Sequence, residues 1–347
     1  MNDFGQVLET LRRARGMTQE DLRLKVGLTQ ATLSRYETGD RTPDADTVTL
    51  LAKALGVTPR FLTRDHTVRG ALAVDAHMRR QRTAKASLWR HLEARLNKHR
   101  LHMSVLFEEV SLRSETSVPS FDPIDVGPAE AALMVRAQWR MPIGPVRNLV
   151  RWLESAGCIV LEEDFGTGRI DGMCQWVYDH PVLLLNSTAP TCRKRFSLAH
   201  ELGHLVLHNG IATEDQEREA DEFASEFLMP SHVIRADLKP ANLGRLKDLK
   251  QVWGVSMQAL ARKALDLGMM STAEHTAFYK ALSARGWRTN EYGSDLLAPE
   301  HPQLVAAIAQ AMRSKGLSDR DIADLAGFED GDTDNPLLAT GRRLHAV

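Results

Sequence analysis

The sequence predicts a multi-domain protein in which an all-α domain is followed by an α+β domain and then by a helical C-terminal region. The first 65 residues contain only short helical patterns, strand-like apolar runs occur first between residues 158 and 186, and helical spacing returns after residue 240. A chain of 347 residues is also too long for one ordinary hydrophobic core. We therefore predict domains at 1–65, 128–240 and 241–347, with a basic helical connector and linker at 66–127.

The composition is typical of a globular protein, with 43% hydrophobic and 26% charged residues. The net charge of −1 provides no global field toward nucleic acid, so any DNA contact must come from a local patch. Three scattered cysteines, Cys158, Cys174 and Cys192, indicate reduced thiols. The opening "MNDFGQVLETLRR" lacks the apolar core of a signal peptide, and no run approaches the roughly 18 apolar residues of a membrane span. We expect a cytoplasmic protein without a membrane partner.

The first 65 residues contain the capping and turn residues that are typical of short helices joined by tight turns. Gly16 ends the first helical pattern, and Thr18 begins the second with Asp21 at the capping-box position. Gly27 makes a turn, and Thr29 caps a third helix that reads "TQATLSRYETG". Two short helices joined in this way fit a DNA major groove.

The segment "GMTQEDLRLKVGLTQATLSRYETGDRTPDADTVTLLAKALGV" resembles the lambda-repressor-type (XRE family) helix-turn-helix, and the resemblance covers the whole N-terminal unit. It implies double-stranded DNA binding through residues 1–65, with Gln19 on a phosphate. Gln30 suits bidentate adenine readout, and Arg35 suits guanine or phosphate. The groove-facing residues would be Thr29, Gln30, Ala31, Thr32, Ser34 and Arg35. The paired half-sites that such domains read favour a homodimer.

The charge of this unit leaves an alternative open. Residues 1–65 contain ten basic and nine acidic residues, which is a weak balance for a DNA-binding domain. A helical domain used only for dimerisation or protein contact would have the same pattern.

The region after the N-terminal unit is strongly basic. Between Arg79 and Arg100 there are eight basic residues and one acidic residue, Glu93. Leu88, Leu92 and Leu96 are four positions apart, so we predict an amphipathic helix with a basic outer face. A connector helix packed by its leucines is favoured over a nucleic-acid contact. The proline-containing segment "SETSVPSFDPIDVGP" after it predicts a linker.

The pattern then changes to mixed α and β. Helical spacing in "AEAALMVRAQW" and "VRNLVRWLESAG" precedes three strand-like runs, "CIVLEEDF", "GRIDGMCQWVY" and "PVLLLN". A helix at about 192–208 follows and contains "RFSLAHELGHLVLH". The strands give this helix a surface on which to pack.

Two histidines in that helix have the spacing of metal ligands. His200 and His204 are one turn apart, so they can bind one ion from a single helix face. Glu201 points about 100° away from His200, where it can accept a proton from metal-bound water. This is the H-E-x-x-H arrangement of zinc peptidases. The alternative is a helix whose histidines form hydrogen bonds in the core.

The next helix, "EDQEREADEFASEFLMP", supplies a candidate third ligand. Glu217 lies about 50° from the centre of its apolar stripe, Glu219 about 110° and Glu222 about 170°. Asp221, one turn after Glu217, can accept a hydrogen bond from a ligating histidine. Two histidines and one glutamate leave a fourth zinc position open, as in catalytic sites. A solvated charge at the helix start is the other interpretation of Glu217.

Both motifs together, "RFSLAHELGHLVLH" and "EREADEFASEFLMP", closely resemble the ImmA/IrrE family of bacterial metallopeptidases. Members are similar to zincins that cut helix-turn-helix repressors and so switch on stress or mobile-element genes. The resemblance implies a zincin-like domain at about 128–240, zinc on His200, His204 and Glu217, and Glu201 as general base. It does not separate Glu217 from Glu219, because both lie in "EREAD". Imidazole and carboxylate ligands also suit manganese and iron.

The predicted chemistry is metal-assisted peptide hydrolysis. We expect an extended substrate along the edge of the "PVLLLN" strand, because main-chain pairing recognises a peptide without dictating its side chains. Tyr178, His208 and His232 are the candidates for an oxyanion helper.

Near the end of the chain, "GLSDRDIADLAGF" repeats the spacing of "GMTQEDLRLKVGL", with glycines eleven apart in both. The copy lacks a recognition helix, because the acidic "EDGDTDNP" follows it, so we interpret it as a packing motif. We expect about the last ten residues to be disordered.

Two functions follow from these patterns. The first is a regulatory zinc-dependent metalloendopeptidase that cuts a helix-turn-helix repressor and is brought by its N-terminal domain to an operator or to that repressor. The second is a DNA-binding regulator in which the zinc-site domain serves as a sensor or dimerisation module without significant turnover. Self-cleavage within residues 66–127 is a third alternative.

Overall fold

A computed structural model describes residues 4–69, 72, 86–209 and 214–338. The N-terminal unit consists of α1 (Phe4–Ala14), α2 (Gln19–Val26), α3 (Gln30–Glu37), α4 (Ala45–Leu55) and α5 (Pro59–Thr63). Thr18 and Asp21 form the expected capping box, and Thr29 caps α3 by accepting a hydrogen bond from the backbone of Thr32. The positive φ of Gly27, 72°, ends α2 and lets the chain turn directly into α3.

A long helix, α6 (Ala86–Glu109), connects the N-terminal unit to the rest of the chain. Its Leu101 and Val105 belong to the N-terminal core, whereas Leu92 and Leu96 belong to a core shared with the sheet and the C-terminal helices. The helix therefore does more than connect two parts of the chain, because its side chains belong to the cores of both.

The expected basic outer face of α6 is wrong for its second half. Lys98 and Arg100 are buried, because elements on both sides cover the helix. Lys98 Nζ lies 3.2 Å from Asp334 Oδ2, and Arg100 Nε donates to Asn97 Oδ1 at 3.2 Å, so these polar heads are paired. Residues 79–85 of the predicted basic segment lie outside the described residues.

The predicted linker at 114–128 packs against the second domain. Val118 is buried, Thr116 N–H donates to the carbonyl of Ser155 at 3.2 Å, and Phe121 N–H donates to that of Val206 at 2.8 Å. These contacts make the segment an ordered strap along the domain.

The second domain contains α7 (Pro128–Gln138), α8 (Leu149–Ser155), β1 (Ile159–Glu163), β2 (Gly172–Val177), β3 (His180–Asn186), α9 (Thr191–Leu207) and α10 (Gln216–Leu228). The three described strands form one sheet in the order β1-β3-β2, with β1 parallel and β2 antiparallel to β3. The "PVLLLN" run is thus the central strand, so the expectation of a substrate along its edge is wrong. Both of its edges are already paired.

The two faces of the sheet are covered by different helices. Cys174, Leu183 and Leu185 pack in the same core as Leu198 and Leu202 of α9. The alternate residues of the same strands pack in the core that contains α6. This double burial explains the continuous apolar sequence of β3.

Helix α9 lies against α10 at an unusually close point. A Cβ atom added to Gly203 would lie 3.2 Å from Ala220 Cα and 3.2 Å from Phe223 Cβ. A side chain at this position would press on the backbone of α10 and on Phe223, so these neighbours would have to shift to accommodate it.

The C-terminal region is helical, as the sequence predicts: α11 (Ser231–Asp237), α12 (Leu243–Trp253), α13 (Met257–Asp266), α14 (Thr272–Ala284), α15 (Leu304–Ser314) and α16 (Asp319–Leu325). Lys250 of α12 is buried and pairs with Glu291 at 2.9 Å, which fixes the segment between α14 and α15. Among the described residues, no helix has both the length and the apolar character that crossing a membrane requires.

Helices α15 and α16 reproduce α1 and α2 at an offset of 300 residues. Ser318 and Asp321 form a capping box, and Gly327 has a φ of 78° at the position equivalent to Gly27. Within the described residues no helix follows α16, so the copy has no equivalent of α3.

This half-copy docks on the N-terminal unit. Phe328 forms an antiparallel bridge with Val57, and the Thr58 N–H donates to the Gly327 carbonyl at 3.0 Å. The ring of Phe328 stacks on His102 of α6 with centroids 3.5 Å apart. These contacts agree with the interpretation of the repeat as a packing motif.

Replacing Phe328 by alanine should destabilise the protein by about 3–5 kcal/mol, because it removes a buried aromatic ring that packs between the half-copy and His102 of α6. Chemical denaturation of the full chain measures this loss. Leu296→Ala is the control, because Leu296 is 65% exposed and its truncation should change stability by less than about 0.5 kcal/mol. Equal unfolding midpoints for the two variants would contradict the importance of this docking.

Candidate metal centre and nucleic-acid interface

His200 and His204 lie one turn apart on α9, on the side that meets α10. Their Nε2 atoms are 3.0 Å apart, and both side chains are buried. Apolar neighbours such as Leu198 and Leu202 fix the rotation of α9 by packing under the sheet. The two imidazoles therefore converge on one point, as their spacing predicts.

Glu217, in the first turn of α10, completes the group. Its carboxylate oxygens lie 3.3 Å from His204 Nε2 and 3.8 Å from His200 Nε2. One ligand atom from each of the three residues lies within 4.8 Å of the others. A tetrahedral zinc ion with bonds of about 2.1 Å holds two ligand atoms about 3.4 Å apart, so this donor set fits zinc.

The second nitrogen of His200 is held by Asp221, the residue that the sequence places in this role. Nδ1 of His200 lies 2.9 Å from Asp221 Oδ1. Because a carboxylate accepts, Nδ1 is the donor in this contact, and in the neutral ring the lone pair of Nε2 is left facing Glu217.

Two linked side chains, His208 and Glu219, perform the same task for His204. Nε2 of His208 lies 2.9 Å from Glu219 Oε2, and the Nδ1 atoms of His208 and His204 are 2.9 Å apart. If His208 donates to Glu219, its Nδ1 accepts from His204, and the Nε2 of His204 keeps its lone pair. Burial lowers the pKa of His208, which favours the neutral ring that this arrangement requires.

These contacts separate Glu217 from Glu219, which the sequence motif alone does not. Glu217 faces both candidate ligands, whereas Glu219 lies behind them on His208. His208 therefore supports His204, which corrects the expectation that it could serve as an oxyanion helper. The histidine spacing of four at 200, 204 and 208 was the sequence signal for this role.

The other two oxyanion candidates lie elsewhere. Tyr178 is 63% exposed beyond the end of β2 and donates to Glu108 at 3.4 Å. It is six residues from Gly172, or about 20 Å along an extended strand. His232 is exposed on α11, and α10 separates it from Glu217 by about 17 Å of helix. Neither residue adjoins the metal group, so both expectations are corrected.

Glu201 is 2% exposed and lies against the start of β2. A Cβ atom at Gly172 would lie 3.3 Å from Glu201 Cγ and 3.4 Å from its Oε1, so the glycine leaves room for the carboxylate. The Cys174 thiol lies 3.6 Å from the Glu201 carbonyl, and burial raises the pKa of this thiol, so it stays a protonated donor. The sequence did not indicate the roles of Gly172 and Cys174 beside Glu201, because both roles depend on how β2 crosses α9.

The N-terminal unit presents α3 to the outside. Leu33 and Tyr36 are buried, which leaves the opposite face open. The predicted groove-facing residues divide into four that are exposed and two that are half-buried: Thr29, Gln30, Ala31 and Arg35, and then Thr32 and Ser34.

Gln19 lies at the start of α2 and is positioned by an ion pair behind it. Its Nε2 donates to Glu37 Oε2 at 2.8 Å, and Arg12 Nε donates to Glu37 Oε1 at 2.6 Å. An amide nitrogen carries two hydrogens, so one remains for a phosphate oxygen. The arrangement is compatible with the predicted phosphate contact.

Two family models match the chain. Residues 8–62 match the helix-turn-helix model, and residues 153–265 match the IrrE N-terminal-like domain. No curated protein matches the sequence. The first match covers the unit that exposes α3, and the second contains the candidate metal group together with α12 and α13. The chain thus joins an XRE-type helix-turn-helix domain to a metallopeptidase-like domain of the ImmA/IrrE type, in that order from N to C terminus.

Proposed function

We propose that this chain is a transcription-regulating zinc metalloendopeptidase that cuts a helix-turn-helix repressor. The observation that carries the proposal is the convergence of His200, His204 and Glu217 beside the buried carboxylate of Glu201. A purely structural zinc site uses four protein ligands, whereas this group supplies three and leaves a position for substrate or water.

The metal site is supported by the chemistry of its donors. Asp221 contacts Nδ1 of His200, and His208 contacts Nδ1 of His204, so in the neutral tautomers that these contacts favour both Nε2 atoms are available to a metal. When bound, zinc supplies Lewis-acid activation of water and of the substrate carbonyl. The same ligands suit manganese or iron, so the choice of zinc follows the family resemblance.

Glu201 is the proton carrier of the proposed reaction. It follows His200 directly in sequence, so its carboxylate lies beside the metal ligands rather than among them. In hydrolysis it would take the proton of the attacking water and then give it to the leaving peptide nitrogen. Its burial against Gly172 keeps bulk water away from this transfer.

The repressor substrate is supported by the fusion of the two domains. A helix-turn-helix domain on the peptidase can bring it to the operator that a repressor occupies, or to the repressor itself. Either route raises the effective concentration of the substrate near Glu201. A homodimer would match the paired half-sites of such operators.

A DNA-binding regulator without significant turnover is the second candidate function. The exposed face of α3 favours it, because this surface is complete without any contribution from the metal group. In that case the ImmA/IrrE-type domain would act as a sensor or dimerisation module.

Zinc affinity distinguishes the two glutamates of α10. Glu219→Ala should weaken zinc binding about ten- to hundredfold, because it removes only the support of His208. Glu217→Ala should weaken it further, because it removes a ligand. Chelator competition on the full chain measures both, with the exposed Glu222→Ala as control. A larger loss in Glu219→Ala than in Glu217→Ala would reverse the assignment.

Substituting Glu201 by glutamine should keep zinc binding but slow hydrolysis by about 10²- to 10⁴-fold, because the amide cannot accept the proton. Cleavage of labelled casein by the zinc-loaded protein measures this loss, and Glu222→Gln is the matched control. In cells, quantitative mass spectrometry should find a helix-turn-helix repressor that accumulates with Glu201→Gln. If parent and variant leave all such repressors at equal levels, the second candidate function is favoured.

Arg35→Ala should weaken operator binding by about 1–3 kcal/mol and relax sequence preference, because Arg35 projects from the exposed face of α3. Selection of bound sequences from a random DNA pool supplies the operator, and titration of the full chain gives the affinities. Lys53→Ala on α4 is the control for loss of one exposed positive charge. Binding by Arg35→Ala that equals that of the parent would contradict the assigned DNA face.

A further inference from the structure

The outer edge of β2 is the sheet edge nearest to Glu201. In the order β1-β3-β2, one side of β2 pairs with β3 and the other side does not. Gly172, the first residue of β2, lies against the Glu201 side chain. A strand added to this outer edge would therefore bring its backbone next to the proposed proton carrier.

Leu72 of the same chain, which lies in a turn, makes a backbone hydrogen bond to this edge. Its backbone N–H donates to the Cys174 carbonyl at 3.0 Å. Backbone groups alternate between the two sides of an antiparallel strand, so those of Gly172 and Trp176 point outward with those of Cys174. The Trp176 N–H agrees with this direction, because it donates to the side chain of Gln175 and not to β3.

The side chain of Leu72 also contacts the protein. It is partly buried and packs against the core formed by α9, α10 and one face of the sheet. Leu72 therefore makes one contact of each kind that an extended peptide makes at a sheet edge, a backbone hydrogen bond and an aliphatic side-chain contact.

We propose that Leu72 occupies, from within the chain, the subsite of an aliphatic substrate side chain at the outer edge of β2, the edge on which an extended substrate would pair. The inference rests on the proposed function, because it places a substrate at the same centre. A substrate strand must displace Leu72 before it pairs with Cys174 and reaches Gly172. The chain thus restrains its own site by competition.

The expected size of this restraint follows from tethering. A covalently linked segment competes at an effective concentration that a free peptide must exceed. Loss of one backbone hydrogen bond, or of the apolar contact, should raise the affinity for a free peptide about three- to tenfold.

A labelled peptide with the sequence of residues 68–78, VRGALAVDAHM, is a direct probe. Its fluorescence anisotropy is measured with the zinc-loaded full chain carrying Glu201→Gln, so that no turnover interferes. In this background Leu72→Pro removes the N–H donor, and Leu72→Asp retains the donor but removes the aliphatic side chain. Both should bind the peptide about three- to tenfold more tightly than their parent, whereas the conservative Leu72→Ile should match the parent.

Equal peptide affinity in all variants, or no binding by any of them, would overturn the inference. Zinc content and melting temperature verify the fold, and Leu72→Asp decides the result if Leu72→Pro does not fold. Casein cleavage by the chain with intact Glu201 reports separately on the proposed function. Tighter peptide binding without cleavage would refute only the hydrolysis, whereas cleavage without any effect of Leu72 would refute only the restraint.

Discussion

The close crossing of α9 and α10 at Gly203 is the contact on which the metal group depends. All three candidate ligands are on these helices, and the supporting Asp221 and Glu219 are on α10 as well. Because a Cβ at Gly203 would meet Ala220 and Phe223 at 3.2 Å, a larger residue would require these neighbours on α10 to shift. The hydrogen bonds that orient the histidines are 2.9 Å long, so they tolerate little increase. The packing of α9 on α10 and the geometry of the candidate ligands therefore depend on the same contact.

Helical periodicity predicted half of the site. The spacing of His200 and His204 and the facing of Glu217 depend only on 100° per residue, so they could be derived from the sequence. The spacing of His208 signalled a link to His204, but its contact with Glu219 could not be derived, because that residue lies on a different helix. Which carboxylate reaches which imidazole depends on the crossing of α9 and α10, and no local pattern records that crossing.

The same division holds for the fold. Caps at Thr18 and Thr29 and the half-copy ending at Gly327 were predictable, because each uses residues within one or two turns. The central position of β3 and the burial of Lys98 were not predicted. Strand order and helix burial depend on contacts between residues far apart in sequence, although the unbroken apolar run in β3 was a signal that both of its faces are covered.

Helix α6 packs in two hydrophobic cores and so links the N-terminal unit to the sheet. It contributes Leu101 and Val105 to the core of the helix-turn-helix domain, and Leu92 and Leu96 to the core beneath the sheet. Phe328 stacks on the same helix at the buried His102, so the C-terminal half-copy also packs at this junction. Leu72 lies in the chain between α5 and α6, and its hydrogen bond reaches β2 beside Glu201. Under the inference above, Leu72 is either docked on the β2 edge or displaced from it. A ligand of the helix-turn-helix domain shifts this equilibrium only if its affinity differs between the two states.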